Sequence, residues 1–390
     1  MAKRLRVGLI GFKFMGKAHS NAWRQVQRFF DLPVEVEMRA LCGPPAEAAE
    51  AHAAAKTLGW ADVDLDFKNF VRRGDLDLID ICTDNFLHAP MGIAAAQAGK
   101  HVLCEKPLTT SLAEAKRMLA AAQKAGIVHG LSHNYRAAPA VAYARELIDR
   151  GLIGKIYHWR AVYLQDWIMD PNFPLVWRLV KSRAGSGAHG DLNAHVIDLA
   201  RYLVGEITQV NGLMETFIKE RPLLAEAGGG LGETRRKTAQ KMGRVTVDDA
   251  TLFMARFANG AVGSFEATRF AGGRRNYNCF ELNGSKGSLV WNLERMNELQ
   301  YYNADDPAGQ QGFRTINATE PPHPFIKAWW PAGHIIGWEH TFTHTVYKMI
   351  MAVAGKKKMS PDWQDGVKNQ AILDAVEASA KSGRWEKVKA

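Results

Sequence analysis

The segment between residues 7 and 19 decides the fold of the first part of the chain. It reads Val7-Gly8-Leu9-Ile10-Gly11-Phe12-Lys13-Phe14-Met15-Gly16-Lys17-Ala18-His19. An apolar strand runs into a turn, and beyond the turn the apolar residues recur with helical spacing. A dinucleotide-binding turn carries three glycines, of which Gly11 and Gly16 hold the first and third places and Lys13 the second. The segment predicts a strand, turn and helix that cradle a pyrophosphate, with Lys13 either obstructing the phosphate or contacting it.

Short apolar runs alternate with helical patterns up to about residue 150, which is typical of parallel strands joined by crossover helices. The predicted strands are 5–11, 36–42, 76–82, 101–104 and 128–132, and the predicted helices after the first are 45–58, 88–98 and 111–125. After residue 151 longer strands with turn signals between them indicate a different sheet: 153–167, 207–218, 250–257, 261–268 and 277–291. A helix at 190–204 interrupts these strands, the stretch 223–245 is predicted to be a surface insertion, and the last 50 residues return to helix.

Length and composition exclude several classes of protein. A chain of 390 residues predicts two or three domains, and 47% apolar with 23% charged residues is average for a soluble globular protein. No apolar run reaches the roughly 18 residues of a membrane span, so no membrane partner is expected. The four cysteines have no paired short spacing, which predicts neither disulfides nor a zinc ribbon and favours the cytoplasm.

The net charge of +10 does not by itself indicate a nucleic-acid partner. Basic residues are spread along the chain and form no stripe interleaved with aromatic residues, so a solvated surface is the better interpretation.

The end of the second predicted strand leaves the choice of cofactor open. An acid about 20 residues after the glycine turn selects NAD, and an arginine there selects NADP. This chain has Leu41-Cys42-Gly43-Pro44-Pro45, with no carboxylate before Glu47. These residues therefore leave both NAD and NADP open.

Two motifs carry candidate catalytic groups. Glu105, Lys106 and Pro107 follow the strand at 101–104, at the edge of a parallel sheet where ligands bind. Asp191 and His195 lie one turn apart on the helix at 190–204. A carboxylate beside an imidazole favours a general base that works near neutral pH, although a structural polar pair remains the alternative.

These motifs together resemble the glucose-fructose oxidoreductase, inositol dehydrogenase and rhizopine catabolism (Gfo/Idh/MocA) family. The resemblance covers nearly the whole chain. It includes the glycine turn, Glu105-Lys106-Pro107, the Gly190-Asp191 to His195 and Asp198 element, and the stretch Thr83-Asp84-Asn85-Phe86-Leu87-His88. The chain departs from the family pattern at Lys13, at Asp84 where proline is usual, and at the missing acid after strand two.

The resemblance implies an N-terminal Rossmann domain (1–135) and a C-terminal domain (136–390) that binds substrate and mediates oligomers. The C-terminal domain would have a large open, mainly antiparallel sheet that forms tetramers or dimers, and its final helix could pack back on the first domain. The implied activity is NAD(P)-dependent oxidation of a ring CH–OH in a sugar, an anhydrosugar or a cyclitol, and the resemblance favours NAD as the cofactor, with NADP possible. Inositol dehydrogenase and a non-catalytic cofactor-sensing regulator are the alternatives.

The resemblance also assigns residues to roles. Its catalytic lysine, aspartate and histidine fall on Lys106, Asp191 and His195. The expected cofactor-binding residues are Gly11, Phe12, Lys13, Phe14, Met15, Gly16, Cys42, Thr83, Asn85, His88, Glu105 and Lys106. Asp191 and His195 are also expected to touch substrate, together with Tyr135, Arg136, Gln165, Trp167 and His334. Glu339, His340 and His344 have partial metal-ligand spacing but lack the usual intervening glutamate, so no metal is expected.

Overall fold

A computed structural model describes residues 4–224 and 238–389, and these form two compact units. The first comprises the chain up to Asn134 together with Trp338–Gln370. The second comprises Tyr135 to Leu224, the segment from Thr238 to Gly337, and the C-terminal segment from Ala371. Most of the predicted insertion at 223–245 lies outside the described residues.

The first unit is built on a parallel sheet of six strands with the order β3-β2-β1-β4-β5-β6. The strands are β1 (Arg4–Ile10), β2 (Glu35–Cys42), β3 (Val63–Asp64), β4 (Leu78–Ile81), β5 (His101–Cys104) and β6 (His129–Leu131). The helices are α1 (Phe14–Phe29), α2 (Ala48–Leu58), α3 (Phe67–Phe70), α4 (Asn85–Gln97) and α5 (Leu112–Ala125). The central strands are continuous apolar runs because helices cover both faces of such a sheet.

The strand order reverses at β1, which pairs with β2 on one side and β4 on the other. In an open parallel sheet this switch point opens a crevice at the carboxyl ends of the strands, where nucleotides bind. The glycine turn after β1, the segment after β4 and the Glu105-Lys106 segment after β5 all lie at this edge.

The second unit contains a nine-stranded, mainly antiparallel sheet with the order β16-β15-β14-β13-β7-β12-β11-β8-β17, in which only the pair β7–β12 is parallel. Its strands are β7 (Ile156–Leu164), β8 (Ile207–Glu215), β11 (Ala250–Phe257), β12 (Val262–Thr268), β13 (Tyr277–Gly284), β14 (Gly287–Asn292), β15 (Glu298–Asn303), β16 (Arg314–Asn317) and β17 (Glu386–Lys387). Strands β9 (Glu220–Leu224) and β10 (Thr238–Arg244) form a separate pair. The helices are α6 (Pro139–Asp149), α7 (Lys181–Ala184) and α8 (Ala194–Leu203).

The two faces of the large sheet differ. Along β11 the residues alternate between buried, as at Phe253, and exposed, as at Leu252 and Met254, because successive side chains of a strand point to opposite faces. The exposed face therefore carries large apolar side chains.

Two long helices complete the described chain, α9 (Trp338–Val353) and α10 (Trp363–Ser382). Helix α9 packs against α1 within the first unit, where Phe342, Val346 and Met349 enter the core on one side of the sheet. None of the described helices is long and apolar enough to cross a membrane.

The elements confirm the predicted fold class and differ mainly at their ends. The strand predicted over 277–291 is two strands, β13 and β14, joined by the predicted turn at Asn283-Gly284. The helix predicted over 190–204 begins with a π-helical turn, His189–Asn193, before α8. Strands β3, β15, β16 and β17 carried no strong pattern and were not predicted. Strands β9 and β10 were not predicted either, and the described part of the predicted insertion at 223–245 forms part of this pair.

Candidate active site

The turn after β1 has the close packing that a dinucleotide-binding turn requires. Gly11 has φ +94°, and a Cβ there would lie 2.6 Å from the carbonyl oxygen of Cys82. A Cβ at Gly16 would lie 2.1 Å from the carbonyl oxygen of Gly11. Both positions exclude a side chain, and the N-cap Lys13 gives α1 no side-chain cap. The residues present therefore fit a pyrophosphate against the N-terminus of α1.

Lys13 is engaged by carboxylates that follow β2. Its ammonium forms ion pairs with Glu50 and with Glu47, the latter at 3.4 Å, and lies 4.8 Å from the centre of the Phe12 ring. The sequence alternatives for Lys13 were obstruction of the phosphate or contact with it. The structure instead directs this side chain to α2, because two carboxylates attract it.

Four other residues in the turn and at the end of β2 were predicted to bind cofactor: Phe12, Phe14, Met15 and Cys42. Burial raises the pKa of the Cys42 thiol to about 12, so it stays protonated and neutral. Phe12 is buried beneath Gly43, where a Cβ would lie 2.7 Å from the Phe12 ring. Phe14 is exposed and stacks on Trp338 with ring centres 5.7 Å apart. Met15 packs against the apolar core.

His88 supports the neighbouring segments from within. Thr83 follows β4, Asn85 begins α4, and His88 is fully buried in the first turns of that helix. Its Nδ1 lies 2.9 Å from the carbonyl oxygen of Pro107 and its Nε2 lies 3.1 Å from that of Thr83. Burial lowers the pKa of His88, so the ring is neutral and donates to one of these carbonyls. This geometry favours a structural role for His88 over the predicted cofactor contact.

Glu105 belongs to a buried polar network that the sequence did not indicate. His19 of α1 lies between two carboxylates, with Nδ1 2.8 Å from Asp80 Oδ2 and Nε2 2.9 Å from Glu105 Oε1. The Trp23 indole donates to Asp80 Oδ2 at 2.7 Å. The second oxygen of Glu105 accepts the backbone N–H of Lys106 at 3.1 Å. Glu105 therefore points into the protein, whereas the sequence predicted a cofactor contact.

The charges of this network follow from its geometry. Burial would lower the pKa of His19, but Asp80 and Cys82 together outweigh burial and hold that pKa well above its ordinary value. Burial would raise the pKa of Glu105, but its hydrogen bonds and the charges of His19 and Lys106 together outweigh burial and hold that pKa below its ordinary value. The network is therefore an imidazolium between two carboxylates.

In the second unit, the helix that carries His195 is held at its start by Asp248. The backbone N–H groups of Gly187 and His189 donate to the two Asp248 oxygens at 2.6 and 2.7 Å. A Cβ at Gly187 would lie 1.8 Å from the Asp248 carbonyl oxygen. Close packing thus explains the glycine-rich entry to this helix.

His195 is buried against two tyrosines. The ring centres of Tyr135 and Tyr163 lie 4.6 and 5.7 Å from that of His195. The phenol oxygens of the two tyrosines are 2.9 Å apart. Burial raises the pKa of Tyr163 well above its ordinary value, so this phenol stays neutral near pH 7.

The predicted substrate residues Gln165 and Trp167 continue from these tyrosines. Tyr163 donates to Asn276 Oδ1 at 2.6 Å, and Gln165 Nε2 donates to the same oxygen at 2.9 Å. The Trp167 indole then donates to Gln165 Oε1 at 2.9 Å. Five side chains, from Tyr135 to Trp167, form one hydrogen-bonded series beside His195.

Asp191 forms an ion pair with a buried arginine. Arg269 Nη2 donates to Asp191 Oδ2 at 2.7 Å, and the Arg269 guanidinium lies 5.1 Å from the Trp167 ring centre. Arg269 is 1% exposed, whereas the Asp191 side chain is 25% exposed. Asp191 therefore presents a fixed carboxylate at the surface of this cluster.

Arg136 and His334 lie apart from this polar series. One edge of the Arg136 guanidinium, Nε and Nη2, donates to the two oxygens of Asp198, at 2.7 and 2.6 Å, and the pair is buried. Because its fork is filled by Asp198, the geometry favours a structural role for Arg136 over the predicted substrate contact. His334 is on an exposed loop, where Nδ1 donates to the carbonyl oxygen of Pro331 at 2.8 Å.

Among the described residues, the cluster with metal-like spacing is His19, Asp80 and Cys82, not Glu339, His340 and His344. The side chains of this cluster are already engaged in hydrogen bonds, since His19 Nδ1 faces the Asp80 carboxylate and Nε2 faces the Glu105 carboxylate.

Sequence reasoning did not find His19, Arg269 or Asn276. Each forms its contacts with residues more than 60 positions away along the chain. A histidine three residues past the last glycine of the turn was the one local signal, and it was interpreted as part of the helix's apolar stripe.

Comparison with known proteins identifies relatives over the whole length. Residues 5–133 match the oxidoreductase family with an NAD-binding Rossmann fold, and residues 141–290 match the GFO/IDH/MocA C-terminal domain. Levoglucosan dehydrogenase of Pseudarthrobacter phenanthrenivorans is 45% identical over 386 residues, 98% of each chain.

Solved structures agree. A crystal structure of an oxidoreductase domain protein from Kribbella flavida has a TM-score of 0.93 at 48% identity and covers all of both chains. A levoglucosan dehydrogenase in complex with NADH and levoglucosan has a TM-score of 0.92 at 44% identity, covering 99% of this chain and all of that one. Two matched domains that span most of the sequence, in a fold whose first sheet presents a dinucleotide turn, place this chain in the Gfo/Idh/MocA family of NAD-binding oxidoreductases.

Proposed function

We propose that the protein oxidises a ring CH–OH of an anhydrosugar of the levoglucosan type and produces the keto-sugar, with NAD as hydride acceptor. The observation that carries the proposal is the series of five hydrogen-bonding side chains, Tyr135, Tyr163, Asn276, Gln165 and Trp167, beside His195. A polyhydroxylated ring needs several donors and acceptors next to an aromatic face, and this series supplies both. Similarity to levoglucosan dehydrogenase over 98% of the chain supports the same substrate class.

His195 is the proposed general base. Oxidation of an alcohol to a ketone removes one proton from oxygen and one hydride from carbon. Bound NAD supplies the hydride acceptor. His195 takes the hydroxyl proton, and in reduction it returns it. Contacts with Tyr135 and Tyr163 restrict the His195 ring, so less reorientation is needed before it takes the proton.

Lys106 and Asp191 are the other proposed catalytic groups. The Lys106 ammonium would donate a hydrogen bond to the oxygen as negative charge develops, which lowers the free energy of the transition state. Asp191, fixed by Arg269, would accept a hydrogen bond from substrate and orient His195. In this assignment Gln165 and Trp167 contact the sugar.

The first unit is proposed to bind NAD through Gly11 to Gly16, Thr83 and Asn85, and the second unit to bind the sugar. Residues 1–135 together with Trp338–Gln370 would then form the cofactor domain, and the rest of 136–390 the substrate domain. The free state of all four cysteines supports a cytoplasmic location.

A second copy of the chain is proposed to cover the exposed face of the nine-stranded sheet, which gives a dimer or a tetramer. Four apolar residues on the three adjacent strands β8, β11 and β12 are 44–62% exposed on this face: Leu213, Leu252, Met254 and Val262. Contiguous exposed apolar residues of this size are typical of an interface. Light scattering of the wild type and of L213E/M254E tests this: the variant should be monomeric.

The test of the activity is a screen for NADH formation. We expect levoglucosan with NAD to give a rise in NADH absorbance, and myo-inositol and glucose to give much smaller rates at equal concentration. Faster oxidation of myo-inositol would instead support an inositol dehydrogenase. Binding of NAD without oxidation of any sugar or cyclitol would contradict the proposed activity.

A further inference from the structure

The buried network of His19, Asp80 and Glu105 requires an explanation beyond folding. All three side chains are 5% exposed or less, and each is ionisable. Removing charged groups from water is costly, and an apolar cluster of similar volume is often at least as stable as a buried ion pair. If its role were only structural, the network would therefore cost free energy of folding, since it places ionisable groups within a sheet region that is otherwise apolar.

The elements that it joins all carry cofactor or catalytic segments. His19 lies on α1, three residues after Gly16 of the turn. Asp80 is the third residue of β4, which leads to Thr83 and Asn85. Glu105 follows β5 directly and precedes Lys106. The imidazolium thus connects the glycine turn to the lysine segment across three elements.

The two oxygens of Glu105 have separate partners. Oε1 faces His19 Nε2 at 2.9 Å, and Oε2 accepts the backbone N–H of Lys106 at 3.1 Å. Ser132 is also a hydrogen-bonding neighbour of Glu105 and lies 3.5 Å from His19 Nε2. The contact of Oε1 with His19 restricts rotation of the Glu105 carboxylate. Oε2 then accepts the Lys106 N–H and so determines the direction of the backbone from which the Lys106 ammonium extends.

Several charged or titratable groups of the first unit face the network, and they include the buried Cys104 thiol and the His88 ring, both of which interact with the Glu105 charge. Asp80 and Cys82 approach from β4, with Cys82 Sγ 3.7 Å from Asp80 Oδ1. Glu105 and the charge of Lys106 approach from the β5 end, and Phe342 of α9 covers the imidazole with ring centres 5.3 Å apart. Two carboxylates and one imidazolium leave one net negative charge beside the Lys106 segment.

We propose that His19 is a positioning residue for Lys106: held between Asp80 and Glu105, it fixes the Glu105 carboxylate, which in turn sets the backbone from which the Lys106 ammonium extends. This inference rests on the proposed function, since it assumes that Lys106 stabilises the alkoxide. His19 itself touches neither substrate nor cofactor in this role.

The kinetic test compares H19Q with the matched control H52Q, whose histidine is exposed on α2. We expect H19Q to lower kcat for levoglucosan oxidation about 10- to 100-fold while the Kd for NAD changes less than threefold. Loss of an adjacent opposite charge raises a carboxyl pKa by about 1–3 units, so Glu105 would take up a proton at higher pH. The acid limb of the pH–rate profile of H19Q should therefore move upward by about one unit or more, and that of H52Q should not move.

A purely structural role for His19 predicts a different result. H19Q would then be less stable to urea but would retain the wild-type kcat and pH profile, and this outcome overturns the proposal. If K106M loses activity while H19Q keeps it, the proposed function stands and this inference fails.

A measurement on the wild type keeps the inference testable if H19Q does not fold or levoglucosan is not a substrate. In ¹⁵N-histidine NMR, both ring nitrogens of wild-type His19 should be protonated at pH 8. They should return to neutral-ring shifts in D80N, which removes the carboxylate that raises the His19 pKa. A neutral His19 ring at pH 7 in the wild type overturns the proposal without reference to any sugar.

Discussion

The two units bury ionisable groups in opposite ways. In the first unit a histidine lies between the carboxylates of Asp80 and Glu105. In the second unit each buried or half-buried carboxylate of the catalytic helix is held by an arginine, Asp191 by Arg269 and Asp198 by Arg136. A guanidinium is charged at every accessible pH, whereas an imidazolium can lose its proton. The arginines therefore hold Asp191 and Asp198 at every accessible pH, whereas in the first unit Glu105 is held in this way only while His19 stays protonated.

The largest expected effect concerns His195, the proposed general base in the second unit. H195A should lower kcat by about 10²–10⁴-fold, the usual contribution of a general acid–base, with little change in the Kd for NAD. Steady-state kinetics with levoglucosan and a fluorescence titration of NADH measure the two quantities. H158A, on β7 of the same unit, is the matched control and should retain its rate. Near-normal turnover of H195A would remove His195 from the mechanism.

The arginine pairs can be broken one partner at a time. R136M leaves the buried Asp198 carboxylate without its counterion, which should lower the free energy of unfolding by about 3–5 kcal/mol. The double variant R136M/D198L removes both charges and should recover most of that loss. Urea unfolding followed by tryptophan fluorescence measures both.

Kinetics of R136K separate the structural role of Arg136 from the substrate contact that the sequence predicted. Lysine retains one charge but not the fork that binds Asp198. A large rise in KM for the sugar with unchanged stability would show that Arg136 binds substrate after all.

Substitution of Lys106 tests whether the charge at this position of the first unit contributes to catalysis. K106M keeps the aliphatic stem and removes the charge, so we expect a loss of about 10²-fold or more in kcat, comparable to deletion of an oxyanion donor. K116M, an exposed lysine on α5, provides the control. A K106M enzyme with the wild-type rate and pH–rate profile would mean that Lys106 only packs.

The sequence predicted those features that depend on neighbouring residues. The glycine turn and the Glu105-Lys106-Pro107 segment are contiguous motifs, and β5 and β11 begin and end where their apolar patterns do. The two-residue strand β3 carries too few residues for a periodic pattern.

The ion-pair and hydrogen-bond partners of the site residues could not be predicted from neighbouring residues. Asp191 is 78 residues from Arg269, Arg136 is 62 from Asp198, and His19 is 86 from Glu105. No local pattern encodes such pairs, because the tertiary packing of helices and strand ends brings them together. This explains why Asp191 was recognised as a candidate and the arginine that holds it was not, and why Arg136 was assigned to substrate.

The smallest expected effect concerns the corner where Lys13 meets Glu47 and Glu50. One ammonium and two carboxylates give this corner a net negative charge, which disfavours the 2′-phosphate of NADP. We therefore expect the wild type to prefer NAD. E47Q/E50Q leaves the Lys13 charge uncompensated and should raise kcat/KM for NADP relative to NAD by about tenfold, or about 1.4 kcal/mol. K13G removes the cation and should shift the ratio the other way. Kinetics with both cofactors on the three proteins measure the ratio. If the wild type prefers NADP by more than about tenfold and K13G abolishes that preference, Lys13 binds the 2′-phosphate and its contacts with Glu47 and Glu50 give way when the cofactor binds.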